Sequence, residues 1–326
     1  MTVQITIIGL GQIGTSIGLS LAKYTERIKR VGYDRALEIQ NKAKGMGAFD
    51  AVKFNLASAI EGADMVVLCI PLDQVDETLK LIAPDLREDA VVMDFSPQKS
   101  TAHRWFEKHI PTGRHYIGLV ASINPALLDQ AGSGIEAARA DLFEDATVGI
   151  AAPIGISSEA LKLAADLVEL LGAQTIFLDM LEADGMEMTG HILPQLVSAA
   201  WLNATVGQPG WAEARRFAGR PFNQSISALG SDTLDALTQA LLHNPQGATG
   251  VLDNAIGALT HLRSAIENGD EADLKKRLKL AFTDREKWLD ERLRAEWDGP
   301  KEKTEAPGSG DIFKRVFWGS RPKDKK

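Results

Sequence analysis

The 326-residue sequence predicts an α/β fold, with a parallel sheet in its N-terminal part and an all-helical C-terminal part. Short aliphatic and β-branched runs alternate with helical patterns over residues 1–180. These runs are continuously apolar, which is typical of strands that are buried on both faces of a sheet. Beyond residue 181 the patterns are long and helical, and few segments resemble strands.

Each element is predicted from a local pattern. Short apolar runs predict the strands Val3–Gly9, Arg30–Tyr33, Asp64–Ile70, Ala90–Asp94, His115–Val120, Thr147–Ala151 and Gln174–Leu178. Apolar residues at helical spacing predict helices between them at Gly14–Tyr24, Ala36–Gly45, Val75–Leu81 and Ser157–Leu171. The C-terminal helices are Glu182–Leu202, which Pro194 could kink, and then Ser231–Leu242, Asn244–Ile266 and Glu271–Glu296.

The patterns divide the chain into three segments. The sheet domain is expected over residues 1–180, a helical domain over 181–297, and a linker with a flexible tail over 298–326. The tail carries Phe313, Phe317 and Trp318 among lysines and arginines, so it is either a docking segment or a disordered end. The helical domain is rich in apolar residues, and we expect it to need a partner.

Composition argues against several functions. The 44 acidic and 36 basic residues give a net charge of −8, and no nucleic-acid partner is expected because phosphate binding needs a basic face. The single cysteine, Cys69, lies in an apolar run and is expected in the core. Neither a signal peptide nor an apolar run of about 18 residues is visible, so we expect a cytoplasmic protein without membrane association. No histidine–carboxylate spacing predicts a metal site.

The strongest motif lies at the exit of the first strand and matches G-x-G-x-x-G: Gly9-Leu10-Gly11-Gln12-Ile13-Gly14. Gly9 permits a tight turn, Gly11 lets the backbone approach a pyrophosphate, and Gly14 lets the following helix pack on the strand. The N–H groups at the start of that helix would bind the pyrophosphate. The motif therefore predicts a dinucleotide-binding domain of the Rossmann type.

Asp34 ends the second strand, 20 residues after Gly14. A carboxylate at this place accepts hydrogen bonds from both ribose hydroxyls and repels a 2′-phosphate. We therefore expect NAD rather than NADP. Arg35 leaves the alternative open, because it could stack on adenine or pair with a 2′-phosphate.

Further candidate residues follow the next two strands. Ligands of such sheets lie beyond the carboxyl ends of the strands, so Ile70, Pro71 and Val75 are expected near the cofactor. The loop after Asp94 should reach the nicotinamide side, where Ser96 and Lys99 could bind cofactor or substrate. Ser96 could equally cap the next helix.

Four stretches of the chain carry a family resemblance. They are Ile7–Gly18 with Gly32–Asp34, the D-x-x-S-x-K-like loop Asp94–Ser100, Gly134–Phe143, and Ala183-Asp184 with His191–Pro194, which is similar to an H-D…S-H-L-P-H helix. Over roughly residues 1–295 the chain resembles the prephenate/arogenate dehydrogenase family of tyrosine biosynthesis. The resemblance implies oxidative decarboxylation of a cyclohexadienol, with a histidine taking up the hydroxyl proton. It also implies a helical dimerisation domain, a homodimer and an active site between the domains.

The proton-accepting histidine of that family has no counterpart here. Its H-P-M-x-G motif is best matched with Asn124 opposite the histidine, and a gapless match gives Val120. Neither side chain takes up a proton near pH 7. His191 is the histidine nearest to the expected cleft and has a suitable ordinary pKa, although it could also be a helical residue satisfied near the core.

The substrate-binding motifs depart from the family as well. Matching the proline of S-H-L-P-H places Gln195 opposite the last histidine, His191 opposite the serine and Ile192 opposite the first histidine. The family's D-x-T-R arginine falls in residues 219–225 with no arginine at the matching place, and Arg220 is nearby. Gln195 and Arg220 are therefore the candidates for substrate binding.

Several functions remain open at this point. The first is a dehydrogenase of prephenate or arogenate, with Asn124, His191, Ser96 and Lys99 as candidate catalytic residues. The second is a dehydrogenase of another small molecule, or a reductase of the 6-phosphogluconate-dehydrogenase or imine-reductase type. The third is a protein without catalytic activity, which binds a dinucleotide as a sensor or assembly factor.

Overall fold

The computed structural model describes residues 2–130 and 132–295. In this part of the chain one sheet contains β1 (Val3–Ile8), β2 (Ile28–Tyr33), β3 (Ala51–Val52), β4 (Met65–Leu68), β5 (Val91–Asp94), β6 (His115–Ala121), β7 (Thr147–Ala151) and β8 (Gln174–Leu178). Their spatial order is β3-β2-β1-β4-β5-β6-β7-β8. The chain winds outward from β1 first in one direction and then in the other, so the predicted Rossmann-type α/β fold is confirmed.

The sheet is parallel, as predicted, except where β6 and β7 pair antiparallel with Gly118 opposite Ala151. The described residues between these strands form the 3-10 turns Pro125–Leu127 and Gly134–Ala137, and no α-helix carries the chain back across the sheet. β7 therefore enters from the opposite edge, and β8 runs parallel to it. As a result, the carboxyl end of β6 lies beside the amino end of β7.

Helices cover both faces of the sheet: α1 (Gln12–Ser20), α2 (Leu37–Gly45), α3 (Leu56–Ile60), α4 (Val75–Ile82), α5 (Lys99–His109) and α6 (Ser158–Leu170). Along β4, Met65 and Val67 pack into one apolar layer, whereas Val66 and Leu68 pack into the other. This two-sided burial explains why the strands are continuously apolar.

From residue 180 onward the described chain is helical: α7 (Met180–Glu187), a π-helical turn (Met188–Ile192), α8 (Leu193–Thr205), α9 (Trp211–Ala214), α10 (Arg220–Ile226), α11 (Leu234–His243), α12 (Pro245–Glu267) and α13 (Glu271–Arg294). None of these helices is both long and apolar enough to cross a membrane. The helical character of this part is confirmed. The predicted linker and tail at 298–326 lie outside the described residues.

α7 returns the chain across the sheet toward the edge that carries the glycine motif. Because β8 runs against β1, it ends at the opposite edge, and α7 then packs on α5, β6 and β7. Its last residue, Glu187, reaches the first residue of α5, Lys99. The π-helical turn that follows is packed through Met188 and Ile192 into a small apolar cluster with Leu72. This path places the helical part beside the carboxyl ends of β5 and β6.

Candidate active site

The glycine motif forms the connection between β1 and α1. Gly9 has a φ of +91°, and a Cβ on it would lie 2.3 Å from the carbonyl oxygen of Cys69. A Cβ on Gly14 would lie 2.0 Å from the carbonyl oxygen of Gly9. In contrast, a Cβ on Gly11 would meet nothing within 4 Å, and no side chain caps the amides of α1 there. The loop thus leaves an open space in front of free N–H groups, which fits a pyrophosphate.

Asp34 lies beside this loop at the end of β2. One oxygen of its carboxylate accepts a hydrogen bond from the N–H of Leu10 at 2.8 Å, and the other accepts from the N–H of Ala36 at 2.9 Å. These two bonds fix the half-buried carboxylate and leave further lone pairs available to a sugar hydroxyl. The neighbouring Arg35 is exposed.

The predicted cofactor contacts after β4 differ in how accessible they are. Ile70 is half-buried, and its side chain lies against Gly9. Pro71 is also half-buried and precedes a 3-10 turn, whereas Val75 is fully buried among the apolar residues under α4. Burial raises the pKa of the Cys69 thiol, which therefore stays protonated.

A buried polar network follows β5. The Asp94 carboxylate accepts hydrogen bonds from the N–H and O–H of Ser96, at 2.9 and 2.8 Å, and from the O–H of Tyr116 at 2.9 Å. The fully buried Lys99 ammonium donates to the carbonyl oxygen of Ser96 and lies 3.8 Å from the Glu187 carboxylate. Burial raises the pKa of Asp94, although the nearby Lys99 ammonium opposes this shift. Ser96 is therefore bound to Asp94 rather than capping α5.

Gln98, which sequence reasoning did not single out, lies at the start of α5. Its backbone is left-handed, with a φ of +69° and a ψ of 64°, and its side chain is fully buried. Within the described part of the chain, neither its amide oxygen nor its amide nitrogen has a hydrogen-bond partner. An orphaned buried amide beside the carboxyl end of β5 is a group that a bound polar ligand could satisfy.

His191 lies in the π-helical turn and is held by a carboxylate from the loop before α11. Its Nε2 is 2.8 Å from Oδ2 of Asp232, and the Gln195 amide donates to the same oxygen at 2.8 Å. The hydrogen bond to Asp232 raises the pKa of His191 above its ordinary value of 6.5, although burial opposes the shift. The structure thus brings together two residues predicted from the sequence, His191 and Gln195, through an aspartate that no sequence pattern indicated.

A cavity of about 810 Å³ lies where the π-helical turn meets the edge of the sheet. Val120 and Ser122 line it from the end of β6, and Glu187 and His191 line it from the helical side. Arg292, near the end of α13, completes the wall. The antiparallel pairing of β6 and β7 thus creates a pocket that combines sheet residues with helical ones.

Other candidates lie away from this cavity. The Asn124 amide accepts a hydrogen bond from the Ala126 N–H and donates one to the Asp141 carbonyl, both at 3.0 Å. Arg220 is exposed at the start of α10. Neither is among the residues that line the cavity. Among the described residues, no group of three or more histidine, cysteine, aspartate or glutamate side chains could hold a metal ion.

The family model described as prephenate dehydrogenase, nucleotide-binding domain, matches residues 17–177. A cyclohexadienyl dehydrogenase of Zymomonas mobilis is 24% identical over 270 residues, which is 82% of this chain and 89% of that protein. A prephenate dehydrogenase of Lactococcus lactis is 31% identical over 194 residues, or 58% of this chain and 49% of that protein.

Among solved structures, prephenate dehydrogenase from A. aeolicus in complex with hydroxyphenyl propionate and NAD+ has the same fold. Its TM-score is 0.77 at 22% identity, and the alignment covers 88% of this chain and 99% of that one. Synechocystis arogenate dehydrogenase gives a TM-score of 0.68 at 23% identity, covering 87% and 99%. Residues 17–177 thus match the nucleotide-binding domain of prephenate dehydrogenases, and the fold of the described chain is that of prephenate and arogenate dehydrogenases.

Proposed function

We propose that this chain is a dehydrogenase that oxidises and decarboxylates a cyclohexadienol such as prephenate or arogenate, with NAD as the preferred cofactor. The observation that carries the proposal is His191, which lines a large cavity and is paired with the Asp232 carboxylate. That cavity opens at the same edge of the sheet as the glycine loop. β6 is three strands from β1, a separation of about 14 Å that an extended dinucleotide can span.

The chain's own residues fit the cofactor. The amides that follow Gly11 would bind the pyrophosphate, and the Asp34 carboxylate would accept hydrogen bonds from the ribose. When bound, NAD supplies the hydride acceptor. A carboxylate at position 34 favours NAD over NADP, because a 2′-phosphate there would meet a like charge.

His191 is the proposed proton acceptor for the substrate hydroxyl. In the neutral imidazole, an Nε2–H that donates to Asp232 leaves Nδ1 as the basic nitrogen. A base whose orientation is fixed by a third group is the usual arrangement of such sites. Gln195 would act through Asp232, to which it donates, rather than by touching the substrate.

The π-helical turn supports this role. A π-helical turn holds about one more residue than an α-helical turn, so a match across it shifts by one position. If Ile192 is the additional residue, Gly190 lies opposite the serine of S-H-L-P-H and His191 lies opposite its first histidine. The match that placed His191 opposite the serine assumed an uninterrupted helix.

Ser96 and Lys99 remain candidates as positioning residues rather than as groups that touch the substrate. Both are buried, and Lys99 approaches the cavity through Glu187, which lines it. We propose that they position Glu187 and the loop after β5. Asn124, with both ends of its amide bonded within its own loop, and the exposed Arg220 have less support from the geometry.

We also retain three proposals about organisation. The domain division near residue 180 fits the change from strands to helices. A homodimer through the helical part is supported by large apolar side chains left exposed on its surface: Trp201, Ile256, Leu259, Ile266, Leu280 and Phe282. A cytoplasmic location stays a prediction.

The test is a turnover assay in which purified protein, NAD and either prephenate or arogenate are mixed and the absorbance of reduced nicotinamide is followed. We expect turnover that falls by about 100-fold or more in His191→Gln, the usual contribution of a general base, with NAD affinity unchanged. Asp34→Ala should instead weaken NAD binding by about tenfold or more, because a charged hydrogen-bond acceptor is lost. Tight NADH binding without turnover of either substrate would favour the sensor hypothesis.

A further inference from the structure

Arg292 is an unusual residue for its helix. α13 is long and largely exposed, and Arg292 is its one buried residue, with 9% of its surface accessible. It follows Trp288 by four positions and Leu289 by three, so it lies on the stripe where the helix otherwise carries apolar side chains. Burying a guanidinium is unfavourable unless hydrogen bonds and an opposite charge compensate for the lost water.

The described chain supplies little of that compensation. One terminal nitrogen of Arg292 donates to the carbonyl oxygen of Ile123 at 2.7 Å, while its buried Nε has no partner. Across residues 2–130 and 132–295, no carboxylate forms an ion pair with it. Burial accordingly lowers the pKa of this guanidinium, and no charged neighbour opposes the shift.

The other charged groups of the cavity already have partners. Glu187 lies 3.8 Å from the Lys99 ammonium, and His191 is bonded to Asp232. The rest of the wall is neutral, and its hydroxyl groups include those of Ser122 and Thr147. Among the described residues, the cavity therefore contains a cation that lacks an anion.

We propose that Arg292 binds a carboxylate of the substrate in this cavity, so that the site selects an anionic substrate through α13. The proposal rests on the proposed function only in taking the cavity as the substrate site. A guanidinium can donate two parallel hydrogen bonds to a carboxylate, and the two terminal nitrogens of Arg292 keep such a pair, because Nη2 uses only one of its two N–H groups on Ile123. The bond to Ile123 holds the guanidinium in place before the substrate arrives.

This assignment also accounts for a departure noted from the sequence. No arginine occupies the place of the family's D-x-T-R arginine in residues 219–225, and the nearby Arg220 is exposed. Arg292 lies about 70 positions after Arg220, on another helix. Its one sequence signal was a cation on the apolar stripe of α13.

The test compares two ligands that differ in one charge, 3-(4-hydroxyphenyl)propionate and its primary amide. Calorimetry on the full chain with NAD present would measure both affinities for wild type, Arg292→Gln, Arg292→Lys and Arg285→Gln. Arg285 is exposed on the same helix and serves as the matched control. We expect wild type to prefer the acid, and Arg292→Gln to bind the acid about 30-fold more weakly or worse, since the partner of a buried charge is lost.

The primary amide ligand distinguishes a role of Arg292 in carboxylate binding from a purely structural role. Its affinity should change less than about twofold in Arg292→Gln, whereas a purely structural arginine would affect both ligands equally. If Arg292→Gln does not fold, Arg292→Lys keeps the charge without the paired donors and should still lose about tenfold for the acid alone. Equal losses for both ligands, or no binding of the acid to wild type, would overturn the proposal.

Turnover distinguishes this proposal from the proposed function. Acid binding that depends on Arg292, in a protein that oxidises neither prephenate nor arogenate, would refute the activity and keep the anion site. Turnover with a KM that is unchanged in Arg292→Gln would refute the anion site and keep the activity.

Discussion

At the scale of single residues, the most consequential feature is a contact that links distant parts of the chain. His191 and Asp232 are 41 positions apart, and Asp232 precedes α11 without any pattern that marks it in the sequence. The sequence could therefore suggest His191 as a base, from its ordinary pKa, but not the carboxylate that sets its protonation. Arg292 and Gln98 were missed for the same reason, because burial of a polar side chain is decided by the packing around it.

Replacing Asp232 by asparagine should change the pH dependence of the reaction. The pKa of wild-type His191 lies above 6.5. We therefore expect kcat/KM to rise as the pH passes through this raised pKa and the base loses its proton. In Asp232→Asn the charge that holds the proton is gone while burial remains, so this rise should move to lower pH. Asp235→Asn, an exposed carboxylate on α11, is the control, and an identical profile for both variants would contradict the role of Asp232.

A second carboxyl affects stability rather than catalysis. Burial raises the pKa of Asp166 on α6 from 3.8 to about 6, and its Oδ2 is buried without a hydrogen-bond partner. The folded protein therefore binds more protons than the unfolded chain between these pH values, and its stability falls as the pH rises through them. Since solvent screens this half-buried group, Asp166→Asn should stabilise the protein by only about 1 kcal/mol at pH 7.5. Urea unfolding at pH 4 and pH 7.5 should show the gain at the higher pH alone.

At the scale of elements, two substitutions in the glycine loop should separate an effect on folding from an effect on NAD binding. Gly14→Ala places a methyl group 2.0 Å from the Gly9 carbonyl, so it should cost about 2 kcal/mol or more in unfolding free energy. Gly11→Ala places one in open space with an allowed φ of −72°, so the protein should fold normally and bind NAD weakly. Thermal melts and calorimetry on the two variants would measure both effects. Normal NAD affinity in Gly11→Ala would show that no phosphate occupies that space.

Strands and helices could be predicted where one feature of their own sequence, such as continuous apolarity or helical spacing, reflects how they are buried. Two-sided burial makes β4 continuously apolar, and the helical spacing in α6 marks a face packed on the sheet. α5 was missed because its sequence is mostly polar, with a narrow face of Ala102, Trp105 and Phe106. The direction of β7 was missed because it depends on a long connection without a helix rather than on the strand's own residues.

The π-helical turn shows a further limit of pattern reading. The sequence predicted one helix over Glu182–Leu202 that Pro194 could kink, and the irregularity instead precedes the proline. Met188 and Ile192, the first and last residues of this turn, are both buried in the cluster that joins the helical part to Leu72. Periodicity alone does not distinguish this turn from an uninterrupted helix, although the difference decides which residue faces the cavity.

At the scale of the whole molecule, the proposed site depends on how the two parts of the chain meet. β5 leads into the loop with Ser96, and β6 supplies part of the cavity wall. The π-helical turn supplies His191, and α13 supplies Arg292. A site assembled from both parts of the chain depends on the stability of the helical part. In a single copy, several large apolar side chains of that part are exposed. In the proposed homodimer, the second copy would bury some of these side chains.

The homodimer is tested by placing charges on that exposed apolar surface. Ile256 and Leu259 on α12 are 57% and 66% exposed, and each change occurs twice in a two-fold dimer. Ile256→Asp with Leu259→Asp should therefore raise the dissociation constant of the dimer by about 100-fold or more. Sedimentation equilibrium would measure this constant. Leu81→Asp, a 57% exposed leucine on α4, should leave the dimer intact. Because α13 packs on α12, the dissociated variant should also lose affinity for the anionic ligand, whereas a wild-type protein that is monomeric at micromolar concentration would exclude this interface.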